Sequence, residues 1–147
     1  GIRPLSRVHK YHPFVFKADG KSYAVEYMPA ESKTALFGGN SNWRGPIWMP
    51  LNYLMVEALE RYHHFYGDTL KVECPTGSGN MMNLDQVSKF LSARISGLFL
   101  PGPDGRRPFT GDSDRFHSDP NWQGLTLYNE YFDGDTGAAL GASVWPE

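Results

Sequence analysis

Asn42-Trp43-Arg44-Gly45-Pro46-Ile47-Trp48-Met49-Pro50 runs straight into Leu51, Leu54, Met55, Ala58, Leu59, Tyr62 and Phe65, apolar residues at helical spacing that stop at Gly67. Pro50 suits a first helical turn, where its missing N–H has no partner to lose, so a helix over 50–66 is predicted. Ahead of that helix, two indoles and an arginine sit on a loop stiffened by Gly45 and Pro46. Indole faces stack on the C–H patches of a pyranose, and a guanidinium offers a planar fork of donors to hydroxyls or carboxylates. The loop therefore reads as a sugar subsite. Taken alone it fits a buried aromatic cluster equally well, since Trp is mostly buried and Arg often packs against it.

Outward from this stretch, residues 14–27 predict a small β-hairpin, with Asp19-Gly20 as a two-residue turn and Tyr23, Val25 and Tyr27 alternating with Ala24 and Glu26. Residues 28–42 are rich in Gly, Ser, Pro and Asn and predict a loop that delivers Trp43 to Trp48 to a cleft. Downstream, Asn83 with Gln86 three residues later forms a capping-box pattern, and Leu84, Val87, Leu91, Ile95 and Leu98 make the apolar stripe of a second helix over 83–100, stopped by Pro101. A third helix is expected over 119–132, opening at Asp119-Pro120, with Gly124 its weakest point. The long connections favour helical hairpins of a toroid over a closed bundle.

The 147 residues are 40% hydrophobic and 14% aromatic, enough for one core, and no run approaches the roughly 20 apolar residues of a membrane span. Net charge is −2 with Lys and Arg scattered, so neither nucleic acid nor an anionic membrane is an expected partner. The lone Cys74 excludes an internal disulfide and a Cys-based zinc site, and it suits a reducing, cytoplasmic compartment.

Three strings carry a family resemblance: Gly38-Gly39-Asn40-Ser41-Asn42-Trp43-Arg44-Gly45-Pro46-Ile47-Trp48, then Tyr62-His63-His64-Phe65-Tyr66-Gly67-Asp68, then Tyr128-Asn129-Glu130-Tyr131-Phe132-Asp133-Gly134-Asp135-Thr136-Gly137. From Gly1 to about Ser143 the chain resembles glycoside hydrolase family 63, the processing α-glucosidases and their bacterial and plant relatives, some of which act on mannosylglycerate or glucosylglycerate. The resemblance implies a mainly α fold, part of an (α/α)6 toroid, carried here with the small N-terminal hairpin. Twelve helices and their connections need roughly 190 residues. The whole of 1–147 is accordingly expected to be one segment, the C-terminal portion of a catalytic domain whose N-terminal part is missing, with an exposed apolar flank.

Glycoside hydrolysis needs one protonated and one ionised carboxyl group. On the resemblance, Glu130 within Glu130-Tyr131-Phe132-Asp133 matches the general base of this inverting family, and Trp43, Arg44, Gly45, Pro46 and Trp48 fall on the motif lining the innermost sugar subsite. Trp122 belongs either to the same wall or to core packing. The family's general acid is an Asp upstream of this segment. Bacterial members of the family continue past Gly-Ala-Ser into a Gly-Trp-containing segment and a final helix, whereas this chain ends Val144-Trp145-Pro146-Glu147.

Other chemistries are not expected. Asp133-Gly134-Asp135 lacks the spacing and closing Glu of a calcium loop, adjacent His63 and His64 point to different helix faces, Thr76-Gly77-Ser78-Gly79 lacks the Lys of a phosphate loop, and Ser143 has no nucleophile elbow. No metal and no cofactor are predicted. The expected function is an inverting, α-glucosidase-like glycoside hydrolase acting on an oligosaccharide or glycoside, with this chain inactive by itself. The alternative is a non-catalytic carbohydrate-binding or structural helical domain.

Overall fold

Phe14–Ala18 (β1) and Lys21–Val25 (β2) pair antiparallel, from Phe14 opposite Val25 to Ala18 opposite Lys21. Asp19 and Gly20 both take left-handed φ, 51° and 72°, the type I′ geometry whose twist matches that of the strands it joins. Period-two alternation places Phe14, Phe16 and Tyr23 on one face, where Phe16 stacks on Phe14 at 6.3 Å and on Tyr23 at 5.1 Å between ring centroids. All three remain exposed. The computed structural model describes residues 1–3, 5–33 and 43–143, so most of the expected 28–42 loop, and Val144 to Glu147, lie outside the described residues.

The chain divides into two compact units, Met49–Pro108 and a discontinuous one made of Gly1–Trp48 with Phe109–Glu147. In the first, Met49–Tyr66 (α1) and Leu84–Ser96 (α2) pack on each other, joined through the ribbon Lys71–Glu73 (β3) and Met81–Asn83 (β4). Leu84, Val87, Leu98 and Cys74 are buried here, and the wholly buried Ser88 hydroxyl donates to the Asp85 carbonyl at 2.9 Å. Asn83 and Gln86 form a reciprocal capping box: the Asn83 side chain accepts from the Gln86 amide at 2.8 Å, and the Gln86 side chain accepts from the Asn83 amide at 3.0 Å. The helix expected over 83–100 ends at Ser96. Gly97 closes it by donating to Ala93, and Leu98, Phe99 and Leu100 continue as tight turns. Within the β3–β4 loop the Glu73 carboxylate accepts from the Gly77 and Gly79 amides at 2.9 and 2.7 Å, which together hold its carboxyl below the ordinary range. Two amides of the Gly-rich loop are thus already bonded to this chain's own carboxylate. The outward side of α1 leaves Tyr53, Leu54, Tyr62 and Phe65 exposed.

In the second unit, the helix expected over 119–132 is absent. A single helical turn, Arg115–Ser118 (α3), precedes it, and Asp119 then bends the chain, its side chain accepting from the Asn121 amide and its carbonyl from the Trp122 and Gln123 amides. Gly124 follows with φ +81°, a left-handed conformation that ends any continuation. Tyr131–Phe132 (β5) pairs antiparallel with Ala139–Leu140 (β6). Strand pairing therefore overrides the helical reading where the chain approaches Glu130.

The (α/α)6 toroid is overturned by these elements. The described residues form a small α+β structure with two multi-turn helices, one four-residue helix and three separate two-stranded antiparallel sheets. The resemblance and the long connections between helices pointed to a toroid, but the segments before, between and after the two long helices satisfy backbone groups by antiparallel pairing. Replacing Asn83 with Ala should remove an N-cap worth about 1 kcal/mol. Urea unfolding followed by far-UV circular dichroism should show the corresponding drop in midpoint, with unchanged denaturant slope.

Candidate functional site

Ile47 and Phe132 bring the two principal motifs together. The Ile47 amide donates to the Phe132 carbonyl at 2.7 Å and the Phe132 amide returns a bond to the Ile47 carbonyl at 3.0 Å, an antiparallel bridge that continues the β5–β6 pairing. Phe132 and Pro46 are fully buried at this junction. The Gly45 amide donates to the Ile2 carbonyl at 2.8 Å and the Gly134 amide to the Pro29 carbonyl at 2.8 Å, tying both loops to the N-terminal segments. A methyl group on Gly134 would stand 2.6 Å from the Gly45 carbonyl oxygen, so only glycine permits this approach.

Across the bridge, Trp48 stacks on Tyr131 with centroids 4.8 Å apart and planes 28° from parallel. Trp43 lies 6.2 Å from Trp48, tilted by 39°. Their exposures differ decisively: Trp48 is 7% exposed and Trp43 58%. Trp48 is thus packed on a buried tyrosine, whereas Trp43 leaves much of its indole exposed. Arg44 beside it is exposed. The Tyr131 phenol donates to the Glu31 carboxylate at 2.6 Å. Burial, that hydrogen bond, and the negative charges of Glu31 and Glu130 push the Tyr131 hydroxyl above its ordinary range, so it stays a proton donor.

Glu130 is half-buried and anchored through its backbone, its amide donating to the Ala142 carbonyl at 3.0 Å, while its Oε2 accepts a longer bond from the Ala142 amide at 3.4 Å. Gly141, at φ +68°, passes so close that a methyl there would meet Tyr131 Cε1 at 2.6 Å and Glu130 Oε2 at 2.9 Å. Trp122 stands with a different group. It meets Phe116 edge-on at 5.4 Å, with Phe109 beyond at 5.7 Å and the Arg115 guanidinium 5.1 Å above its own ring. In that cluster Phe109 is buried and Phe116 and Trp122 are half-buried.

The Asp133-Gly134-Asp135 carboxylates are occupied by the protein itself. Asp133 Oδ1 accepts from the Asp135 and Thr136 amides at 2.7 and 2.8 Å, closing a turn. Asp135 accepts from the Tyr27 phenol at 2.7 Å and pairs with Lys10 at 3.3 Å, Arg3 at 3.7 Å and Arg7 at 4.0 Å. Burial alone would raise the Asp135 carboxyl, but the hydrogen bonds from Tyr27 and Lys10 and the Arg7 charge outweigh it and hold the group below its ordinary range. Tyr27, desolvated and bonded to that carboxylate, is pushed up to about 12. Among the described residues no group of three His, Cys, Asp or Glu side chains is arranged to hold a metal ion. No helix of the described residues is long and apolar enough to cross a membrane.

Residues 27–75, which include the Trp43 to Trp48 loop and α1, match the family model of the glycosyl hydrolase family 63 C-terminal domain. This stretch is family 63 sequence. An uncharacterized protein of Saccharomyces cerevisiae is 50% identical over 145 residues, 97% of this chain but 13% of that protein, so the chain spans a small fraction of the curated relative it matches. No solved structure matches the chain. The family 63 match ends well before Glu130, which precedes the Tyr131 that stacks on Trp48. Sequence reasoning passed over Tyr131, Glu31, Tyr27 and Asp135 as site-building residues. Tyr131 was legible as the neighbour of Glu130, while Glu31 and the cations of Asp135 sit in stretches with no periodic signal.

A carboxyl held below its ordinary range contributes stability above about pH 3.9, where its unfolded counterpart is ionised, and loses it as pH falls through the folded value. Acid titration followed by near-UV circular dichroism should therefore show the Tyr27 environment failing below about pH 4. Asp135→Asn should remove that component and cost about 1 kcal/mol at neutral pH, a modest figure because the partner cations are largely solvated.

Proposed function

We propose that this chain is part of a glycoside hydrolase that cleaves an α-linked glucosyl or related glycoside with inversion. The observation that carries the reading is the Ile47–Phe132 bridge, which sets the exposed Trp43 and its Trp48 floor beside the strand that begins one residue after Glu130. The family 63 match over 27–75 supports the hydrolase class.

In this scheme the sugar ring stacks on Trp43, Arg44 addresses its hydroxyls, and Gly45 and Pro46 hold the loop rigid. Glu130 takes a proton from a water molecule as that water attacks the anomeric carbon from the face opposite the leaving group. A second carboxylic acid protonates the departing oxygen, and in an inverting pair it stands roughly 6.5–9.5 Å from the base. The acid belongs to sequence upstream of this chain. The exposed apolar side of α1 supports a segment that packs against further polypeptide, as does the 13% share of the yeast relative that the chain covers.

Activity is expected in the full polypeptide containing this segment, with the released sugar appearing first as the inverted anomer by NMR. Glu130→Gln should lower kcat by roughly 10²- to 10⁴-fold. Trp43→Ala should act mainly on KM, since stacking is present in both ground and transition states. Retention of configuration, or a fully active Glu130→Gln protein, would overturn the scheme; saturable quenching of Trp fluorescence by glucose oligosaccharides without cleavage would reassign the segment as a binding module.

A further inference from the structure

The first eighteen residues carry Arg3, Arg7, Lys10 and Lys17 and no acidic side chain. The fold gathers three of those cations around one carboxylate. Lys10 Nζ stands 3.3 Å from Asp135 Oδ2, Arg7 Nη2 4.0 Å from the same oxygen, and Arg3 Nη2 3.7 Å from Oδ1. The Asp135 side chain is 13% exposed, whereas those of Arg3, Arg7 and Lys10 are 41%, 63% and 40% exposed. The carboxylate is thus covered and the cations form its open rim. An anchor for one covered carboxylate needs one cation, and each further cation adds repulsion. Here Tyr27 donates to Oδ1 and Lys10 to Oδ2, so both oxygens are satisfied before Arg3 and Arg7 are counted. The neighbouring acids are engaged elsewhere: Glu26 with Lys33, Glu31 with the Tyr131 phenol, and Asp133 Oδ1 with the Asp135 and Thr136 amides. Of the residues outside the description, Glu147 alone is acidic, and even with it the three cations would outnumber the carboxylates.

We infer that Arg3, Arg7 and Lys10 form an anion-binding site for a phosphate group, free or as a monoester, with Asp135 and Tyr27 holding the three cations together. Arg7 and Lys10 open and close one short 3-10 turn, Arg7–Lys10, capped by Ser6, so they are presented side by side. Both reach the same Asp135 oxygen, so their head groups stand no further apart than those two distances laid end to end. One tetrahedral oxyanion bridges such a span with charge-assisted bonds of about 2.8 Å. Arg3 is fixed in advance, its Nη1 donating to the Tyr27 phenol oxygen at 2.7 Å and its guanidinium carbon lying 5.1 Å from the centre of the Tyr27 ring. Little side-chain freedom is therefore lost there on binding. The surplus of two positive charges over Asp135 matches the roughly −1.5 to −2 of a phosphate ester near neutral pH, and a ligand carboxylate would compensate only half of it. Arginine forks address two oxygens of such a group, and the Lys10 ammonium adds a point charge. This site stands apart from the glycosidase reading.

The test uses the full polypeptide containing this segment, titrated calorimetrically at fixed ionic strength with inorganic phosphate, glucose 6-phosphate, glucose and sodium chloride. Inorganic phosphate should bind saturably, and Arg7→Ala and Lys10→Ala should each weaken it roughly 10-fold, the lower end for a hydrogen bond to a charged group. Both substitutions should leave Tm unchanged, because exposed ion pairs contribute little to stability. Arg7→Lys, which keeps the charge and loses the fork, should recover part of the affinity. Tighter binding of glucose 6-phosphate than of inorganic phosphate would support the site and mark a sugar ester as its source, and equal binding would support it with free phosphate as the ligand. Absence of saturable phosphate binding would overturn the inference, as would an affinity unchanged in both alanine variants, or chloride binding that falls with them to the same extent. If phosphate binds as described while the polypeptide cleaves no glycoside, the glycosidase reading falls and the anion site stands.

Discussion

Two backbone hydrogen bonds between Ile47 and Phe132 hold the discontinuous unit in register. Everything that makes the aromatic loop more than a surface decoration follows from them. A one-residue slip in this pairing would turn Phe132 outward and carry Tyr131 to the other face of its strand, away from Trp48. The pairing is protected by steric exclusion: the Gly45 carbonyl occupies the space where any side chain at position 134 would begin, and Gly141 leaves room for Tyr131 and Glu130 on the neighbouring strand. Backbone, not side-chain affinity, thus sets the relative position of the two motifs.

Around this bridge the polar groups divide their labour. Tyr27 and Tyr131 are both buried phenols that end on carboxylates, Asp135 and Glu31. The Asp135 end is neutralised by three cations from the N-terminal segment and serves as an anchor. Near the Glu31 end, Lys33 pairs with Glu26 at 3.4 Å.

The sequence made the local elements of this molecule readable wherever a strong short-range signal exists. Asp19-Gly20 forces its own turn, Asn83 and Gln86 their capping box, and the 3.6-residue stripe from Leu51 to Phe65 its helix. The failure at 119–132 is only partly local in origin: Gly124, the Asp119 turn and the nearby Ala139 were visible, but the competing strand at Tyr131 also depends on Ile47, a partner that no window of a dozen residues contains. The toroid was inferred from kinship, and the chain's own pairings contradict it. From composition the Trp43 to Trp48 loop read equally as a sugar subsite and as a buried aromatic cluster; that Trp48 is buried and Trp43 exposed was not legible, because Trp48 packs on the distant Tyr131. Trp122 carried no sequence mark separating a wall from a core, and it packs edge-on against Phe116.

The discontinuity of the larger unit bears on how the molecule is made. Tyr131 and Glu31 are 100 positions apart, and Tyr27 and Asp135 are 108 apart. During synthesis from the N-terminus, the hairpin, the aromatic loop and the arginines all emerge before the strand and turn that will receive them. Met49–Pro108, whose helices and ribbon contact one another locally, has its partners at hand much sooner. The waiting half therefore holds Trp43, Trp48, Phe14 and Phe16 uncovered on the nascent chain, a period in which chaperone binding is of most use to it.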